Sequence, residues 1–139
     1  MDKAAIVYWS GTGNTEAMAK AIARGMKSGG VEADVFEVSA AKVDVISEYS
    51  KIAFGCPSMG DEVLEECDFE PFFCDIEEKL EGKKVALFGS YGWGSGQWMR
   101  DWVRHTREVG ADLYDEGLIM KEAPNESECE TYGKQFAAF

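Results

Sequence analysis

Apolar residues arrive along this chain in two rhythms. Ala4-Ala-Ile-Val-Tyr-Trp9, Lys51 to Gly55 and Val85 to Gly89 are short, nearly continuous apolar runs, the pattern of strands buried on both faces of a parallel sheet. Met18, Ile22 and Met26 instead recur at helical spacing, with Glu16, Lys20, Arg24 and Lys27 on the other face. Gly29-Gly30 breaks that helix, and Val31 to Val38 reads as a strand whose Glu32, Asp34 and Glu37 suit a sheet edge. An aromatic-rich helix is expected over Glu70 to Leu80, its start blurred by Pro71, and another over Gln97 to Glu108, ending near Gly110. Asp112 to Met120 reads as a weak fifth strand, irregular around Gly117, and Asn125 to Ala138 as a closing helix. Alternating strands and helices imply a three-layer, doubly wound α/β fold with a five-stranded parallel sheet in the order 2-1-3-4-5. The 139 residues suffice for one domain, 1–139, with no repeat or linker to divide it.

Between the first run and the first helix lies Ser10-Gly-Thr-Gly-Asn-Thr15. A strand, a polar glycine-rich loop and a helix in that order make an anion site. The helix N-terminus offers unpaired N–H groups and the positive end of its dipole, and glycines let the backbone wrap a phosphate. Ser10, Thr12, Asn14 and Thr15 add side-chain donors. The loop carries no Lys or Arg, so it is not the G-x-x-x-x-G-K-[ST] loop of nucleotide hydrolases; Glu16 stands where a dinucleotide fingerprint needs its third glycine. Such a cradle suits a phosphate that is held rather than transferred.

Chemistry elsewhere is sparse. Cys56, Cys67, Cys74 and Cys129 form no C-x-x-C pair, and the one histidine, His105, is remote from them in sequence. A phosphatase loop at Cys56 would need Arg where Glu62 stands. The cysteines read as reduced thiols with packing roles. Met1-Asp-Lys leads into the first strand without a signal-peptide pattern, so a cytoplasmic protein is expected.

Three segments together resemble the flavodoxin family, and the short-chain members from anaerobic bacteria in particular. These are Val7-Tyr-Trp-Ser-Gly-Thr-Gly-Asn-Thr-Glu16, Gly55-Cys-Pro-Ser-Met-Gly-Asp-Glu62 and Lys83-Lys-Val-Ala-Leu-Phe-Gly-Ser-Tyr-Gly-Trp-Gly94. The resemblance implies a flavodoxin-like fold and FMN held without a covalent link at the switch point between the first and third strands. It implies that Ser10, Gly11, Thr12, Gly13, Asn14 and Thr15 hold the phosphate. Met59 would pack on one face of the isoalloxazine and Trp93 on the other, with Tyr91 as an alternative stacker; Ser90, Tyr91 and Gly92 would follow the ribityl chain and ring edge. The Gly60-Asp61 peptide would turn its carbonyl toward flavin N5, stabilising a neutral semiquinone, and Glu62 would accept from the flavin N3–H. Pro57 and Ser58 depart from the residues some relatives carry there. Trp98 and Trp102, one helical turn apart, read as core.

Fourteen basic against 26 acidic residues give a formal charge of −12, and ten acids fall between Asp61 and Glu81 with Lys79 the only base. Nucleic acid and anionic membrane are therefore poor partners. Such a surface suits brief encounters with basic docking patches. The resemblance implies a monomeric, low-potential one-electron carrier without a substrate of its own, cycling between neutral semiquinone and anionic hydroquinone. Its expected partners are ferredoxin-type donors and acceptors such as oxidoreductases or hydrogenases. The alternative is an FMN-dependent NAD(P)H:quinone reductase of the same fold; a phosphorylated receiver module would need acids where Ser10-Gly-Thr-Gly stands.

Overall fold

A computed structural model describes residues 3–139; Met1 and Asp2, part of the stretch read above as lacking a signal pattern, lie outside the described residues. In chain order the elements are β1 (Lys3–Tyr8), α1 (Asn14–Ser28), β2 (Glu32–Glu37), a short α2 (Val43–Ile46), β3 (Lys51–Gly55), α3 (Phe69–Ile76), β4 (Lys84–Tyr91), α4 (Gln97–Glu108), β5 (Asp112–Leu113), β6 (Leu118–Lys121) and α5 (Glu126–Ala138). The strand pairs are parallel and run β2-β1-β3-β4-β5, the order expected.

Alternation along the strands divides the core. Ala4, Ile6 and Tyr8 of β1, Ala53 of β3 and Ala86 and Phe88 of β4 face α1 and α5. Ala5 and Val7, Ile52 and Phe54, and Val85 and Leu87 face the opposite layer, where α3 and α4 lie. In register, Val7, Phe54 and Leu87 form one cross-strand row, and Ile6, Ala53 and Ala86 the next row on the other face. Both faces are covered, which is why these strands read as unbroken apolar runs.

Three expectations are refined. The fifth strand is broken: β5 and β6 both pair with β4, and between them Asp115 (φ 56°) and Gly117 (φ 87°) carry the chain out of the ladder. The helix expected to reach Leu80 is α-helical only to Ile76 and tightens into a 3₁₀ turn at Glu77–Lys79. Pro71 is accommodated because it sits in the first turn, where an N–H has no partner to lose. The short α2 has no counterpart in the sequence reading. Among the described residues no helix is long and apolar enough to cross a membrane.

Candidate functional site

Three strand ends converge on one crevice of about 410 Å³, a size suited to a small ligand. The loop after β1 forms its first wall. Its chain turns at Gly13, whose φ of 97° excludes a side chain without strain, and Gly13 is also the N-cap of α1. A glycine cap has no side chain to meet the helix's first N–H groups, so they are left for a ligand. Ser10 Oγ accepts from Gly13 N at 3.0 Å and Thr12 Oγ1 from Asn14 N at 3.4 Å, bonds that brace the loop. Thr15 is buried, its Oγ1 2.9 Å from Ser90 Oγ, tying the start of α1 to the end of β4.

The segment after β3 forms the second wall. Ser58 N donates to Ser90 O at 3.0 Å, while the Ser58 hydroxyl is buried and has no hydrogen-bond partner among the described residues. Met59 and Val63 then pair in both directions, at 2.9 and 3.0 Å, closing a hairpin whose tip is Gly60, Asp61 and Glu62. Gly60 (φ 51°) and Glu62 (φ 58°) are both left-handed, as so tight a reversal requires. Past the tip, Glu65 is buried, and its carboxylate accepts from the N–H groups of Cys67, Asp68 and Phe69 at 2.8 to 2.9 Å, satisfying the start of α3. Burial pushes the Glu65 carboxyl up, but these donors outweigh it and hold it below the usual carboxylate range.

Tyr91, which ends β4, and Gly92 and Trp93 after it form the third wall; Trp93 is 59% exposed at the rim. The crevice thus gathers Gly11, Thr12, Asn14, Thr15, Pro57, Ser58, Met59, Ser90, Tyr91, Gly92 and Trp93 of the residues singled out from sequence. Ser10 and Gly13 shape the loop from behind, and Gly60 and Asp61 form the exposed hairpin tip. Glu62 is engaged elsewhere: its carboxylate accepts from Ser95 N (2.7 Å), Gln97 N (2.6 Å) and Trp98 N (3.3 Å), capping α4 beside the crevice. Gly96, the N-cap of α4, has no side chain to do this.

Two lining residues were missed. Trp9 closed an apolar run and looked like strand interior, yet β1 ends at Tyr8 and the Trp9 ring folds back over Gly11, 3.0 Å from where a Cβ would stand. Glu122 follows β6 in a left-handed conformation (φ 59°), its N–H on Tyr91 O at 2.8 Å. Nothing in its local pattern marks it, since only the pairing of β6 with β4 brings it there. Cys56 lies beneath the crevice, its thiol pushed far up by burial and its carbonyl accepting from Trp98 Nε1 at 3.2 Å, a packing role.

Fold and crevice define a class: doubly wound α/β proteins with a cationless phosphate-type loop at the topological switch point. Within it, the chain belongs to the flavodoxin family, whose model, described as Flavodoxin, matches residues 6–135. It is 48% identical over 134 residues to a flavodoxin of Clostridium beijerinckii, a match covering 95% of this chain and 97% of that one. A flavodoxin of Megasphaera elsdenii is 46% identical over 132 residues, with 95% and 96% covered. The solution structure of two-electron reduced Megasphaera elsdenii flavodoxin superposes with a TM-score of 0.89 at 45% identity, covering 98% and 99% of the two chains. A flavodoxin from the domain Archaea gives 0.86 at 31% identity, with 98% and 96% covered.

Membership of the family makes FMN the cofactor. The residues present fit it on two observations independent of that membership. The first turn of α1 is left uncapped by Gly13, as a phosphate requires, and the buried Ser58 hydroxyl lining the same crevice lacks a partner among the described residues.

Proposed function

We propose that this chain is a low-potential one-electron carrier: one domain over residues 1–139, monomeric and cytoplasmic, holding FMN without a covalent link. The redox couple we assign to it is neutral semiquinone and anionic hydroquinone. Its partners are redox proteins with basic docking patches, ferredoxin-type donors and acceptors such as oxidoreductases or hydrogenases. The observation that carries the reading is Trp93, 59% exposed on the rim of a crevice whose inner walls are braced backbone. A ring stacked there keeps an edge at the surface, within reach of another protein.

Each residue then has a task. Ser10, Gly11, Thr12, Gly13, Asn14 and Thr15 would hold the phosphate through N–H and hydroxyl donors. Met59 and Trp93 would cover the two ring faces with a polarizable thioether and a flat indole, excluding water, with Tyr91 as an alternative stacker. Ser90, Tyr91 and Gly92 would follow the ribityl chain and ring edge, and Pro57 and Ser58 would close the inner wall. Gly60 and Asp61 would offer a peptide carbonyl to the ring nitrogen that gains a proton. Glu62, fixed by its three backbone donors, would face the opposite end of the ring's polar edge. The flavin supplies the redox chemistry; the protein supplies binding, desolvation and charge.

Stepwise anaerobic dithionite reduction of the purified holoprotein, followed by visible absorption, tests the reading. A yellow form turning blue and then colourless is expected. Direct bleaching without the blue form would favour the two-electron quinone reductase instead.

A further inference from the structure

A second cavity, about 230 Å³, opens between α3 and α4 next to the hairpin but apart from the crevice. Its floor is aromatic, with Phe73 and Trp102 buried at 2% and 3% exposure. Its rim is acidic: Glu62, Glu70, Glu77 and Asp101. Floor and rim carry an unspent donor and unspent charge. The Trp102 Nε1–H is buried without a hydrogen-bond partner among the described residues, a position costly to leave unfilled. Glu70 has no ion pair among the described residues. Asp101 accepts from Gln97 Nε2 at 2.7 Å and pairs with Arg104 at 3.3 Å, and Glu77 pairs with His105; both of these basic side chains are more than half exposed.

The groove is also continuous with the hairpin. Glu62 stands on its rim and at the hairpin tip, and Val63, which pairs with Met59, lines the groove with 38% of its surface exposed. An aliphatic stem with a cationic end matches this set: the stem would lie on Phe73 and Trp102, and the charge would meet the carboxylates. A backbone carbonyl from the same segment would suit the indole N–H.

We propose that this groove is a docking socket for a basic segment of a redox partner, a Lys or Arg flanked by aliphatic residues, seated beside the hairpin that flanks the crevice. This rests on the carrier reading but concerns a different surface. A protein segment is favoured over a simple cation because the unpartnered indole N–H needs an acceptor, which a peptide carbonyl supplies and a bare cation does not. The same composition disfavours an anionic ligand.

The test uses ¹⁵N-labelled, FMN-loaded, oxidised protein titrated with a blocked Leu-Lys-Arg-Leu peptide, with ammonium chloride, a cation without a stem, as a charge-only control. The expected result is a saturable shift of the Trp102 indole N–H and the Phe73 amide. Ammonium should move neither, and the double variant E70Q/E77Q should weaken peptide binding about fivefold. Glu70 and Glu77 lie outside the crevice, so the variant should retain its blue form on reduction. Trp102→Phe supplies the indole assignment and, by removing the unpartnered donor, should itself weaken the peptide. Shifts confined to Tyr91 and Trp93, equal responses to ammonium, or unchanged affinity in E70Q/E77Q would each overturn the socket. Failure of the carrier reading would show separately, as a missing blue form in the unmodified protein.

Discussion

The two helical layers on either side of the sheet are built on opposite principles. In the α1–α5 layer backbones touch: a Cβ on Gly25 would lie 1.9 Å from Glu130 O, and one on Gly133 2.1 Å from Ile22 O. The sheet helps by presenting Ala4, Ala53 and Ala86 on that face. In the α3–α4 layer rings fill the space: Phe73 meets Phe54 and Trp102 edge-on at 5.2 and 5.6 Å, and Phe69 meets Trp102 at 5.5 Å. The close layer admits no added methyl, whereas the ringed layer cannot lose a ring and leaves a groove at its surface. The crevice draws on both sides: the loop from Ser10 to Thr15 leads into the closely packed helix α1, and the hairpin and acidic rim belong to the ringed side.

Removing a ring is the strongest way to break the comparison. Phe73→Ala deletes a fully packed side chain among four ring neighbours, Phe54, Phe69, Trp102 and His105, and should cost about 3–5 kcal/mol in denaturant unfolding. A loss under about 1 kcal/mol would mean that α3 collapses inward and that the layer is plastic. On the other side, Gly133→Ala should cost about 2 kcal/mol net, because overpacking against a backbone carbonyl exceeds the helix propensity gained. Calorimetry should then show a melting temperature roughly 6–8 °C lower. A neutral Gly133→Ala would show that α5 slides freely on α1, erasing the contrast.

A smaller effect sharpens the ringed side. Glu65 anchors α3 to the hairpin, and its carboxyl is held below its ordinary 4.5 in the folded protein by three N–H donors, against the upward push of burial. A carboxyl with a lowered folded pKa stabilises fully above its unfolded pKa. That contribution fades as pH falls through the lowered value. Glu65→Gln should therefore lose about 1–2 kcal/mol at neutral pH. The gap to the unmodified protein should close in acid, as urea midpoints measured from pH 7 to pH 3 would show. A gap that stays constant with pH would assign the loss to shape rather than charge.

How much of this was legible depended on whether a residue's neighbour lay nearby in sequence. The strand order, the buried runs and the loop from Ser10 to Thr15 were readable because periodicity and glycine spacing are local signals. Trp9 was misplaced because a Trp ending an apolar run looks the same whether it continues the strand or folds over Gly11. Glu122 was invisible because its place in the crevice depends on β6 resuming the ladder beside β4 after the break at Asp115 to Gly117. Glu62 stood out in its motif but not as the cap of α4, since its donors are 33 to 36 residues away. Glu65 offered only another acid in an acidic run. What the sequence hid was capping by carboxylates, across the fold at Glu62 and within a few residues at Glu65, which leaves no periodic trace.

The smallest structural effect belongs to the hairpin tip, where the close-packed and ringed layers both cease to matter. A Cβ on Gly60 would meet no heavy atom within 4 Å, so Gly60→Ala adds no clash. Its cost is confined to the left-handed backbone (φ 51°), about 1 kcal/mol, and global stability should fall by no more than that. The redox consequence should be disproportionate. In the carrier reading the Gly60-Asp61 peptide must turn to present its carbonyl, and we assign the positive φ seen at Gly60 to the turn that presents it, so a Cβ penalises the blue form. A penalty near 1 kcal/mol falling on one redox state alone would change the blue form's formation constant about fivefold. Reductive titration of Gly60→Ala should therefore show less blue form at half reduction while its melting curve barely moves. Unchanged accumulation would detach the hairpin from the redox steps and leave Gly60 a turn residue only.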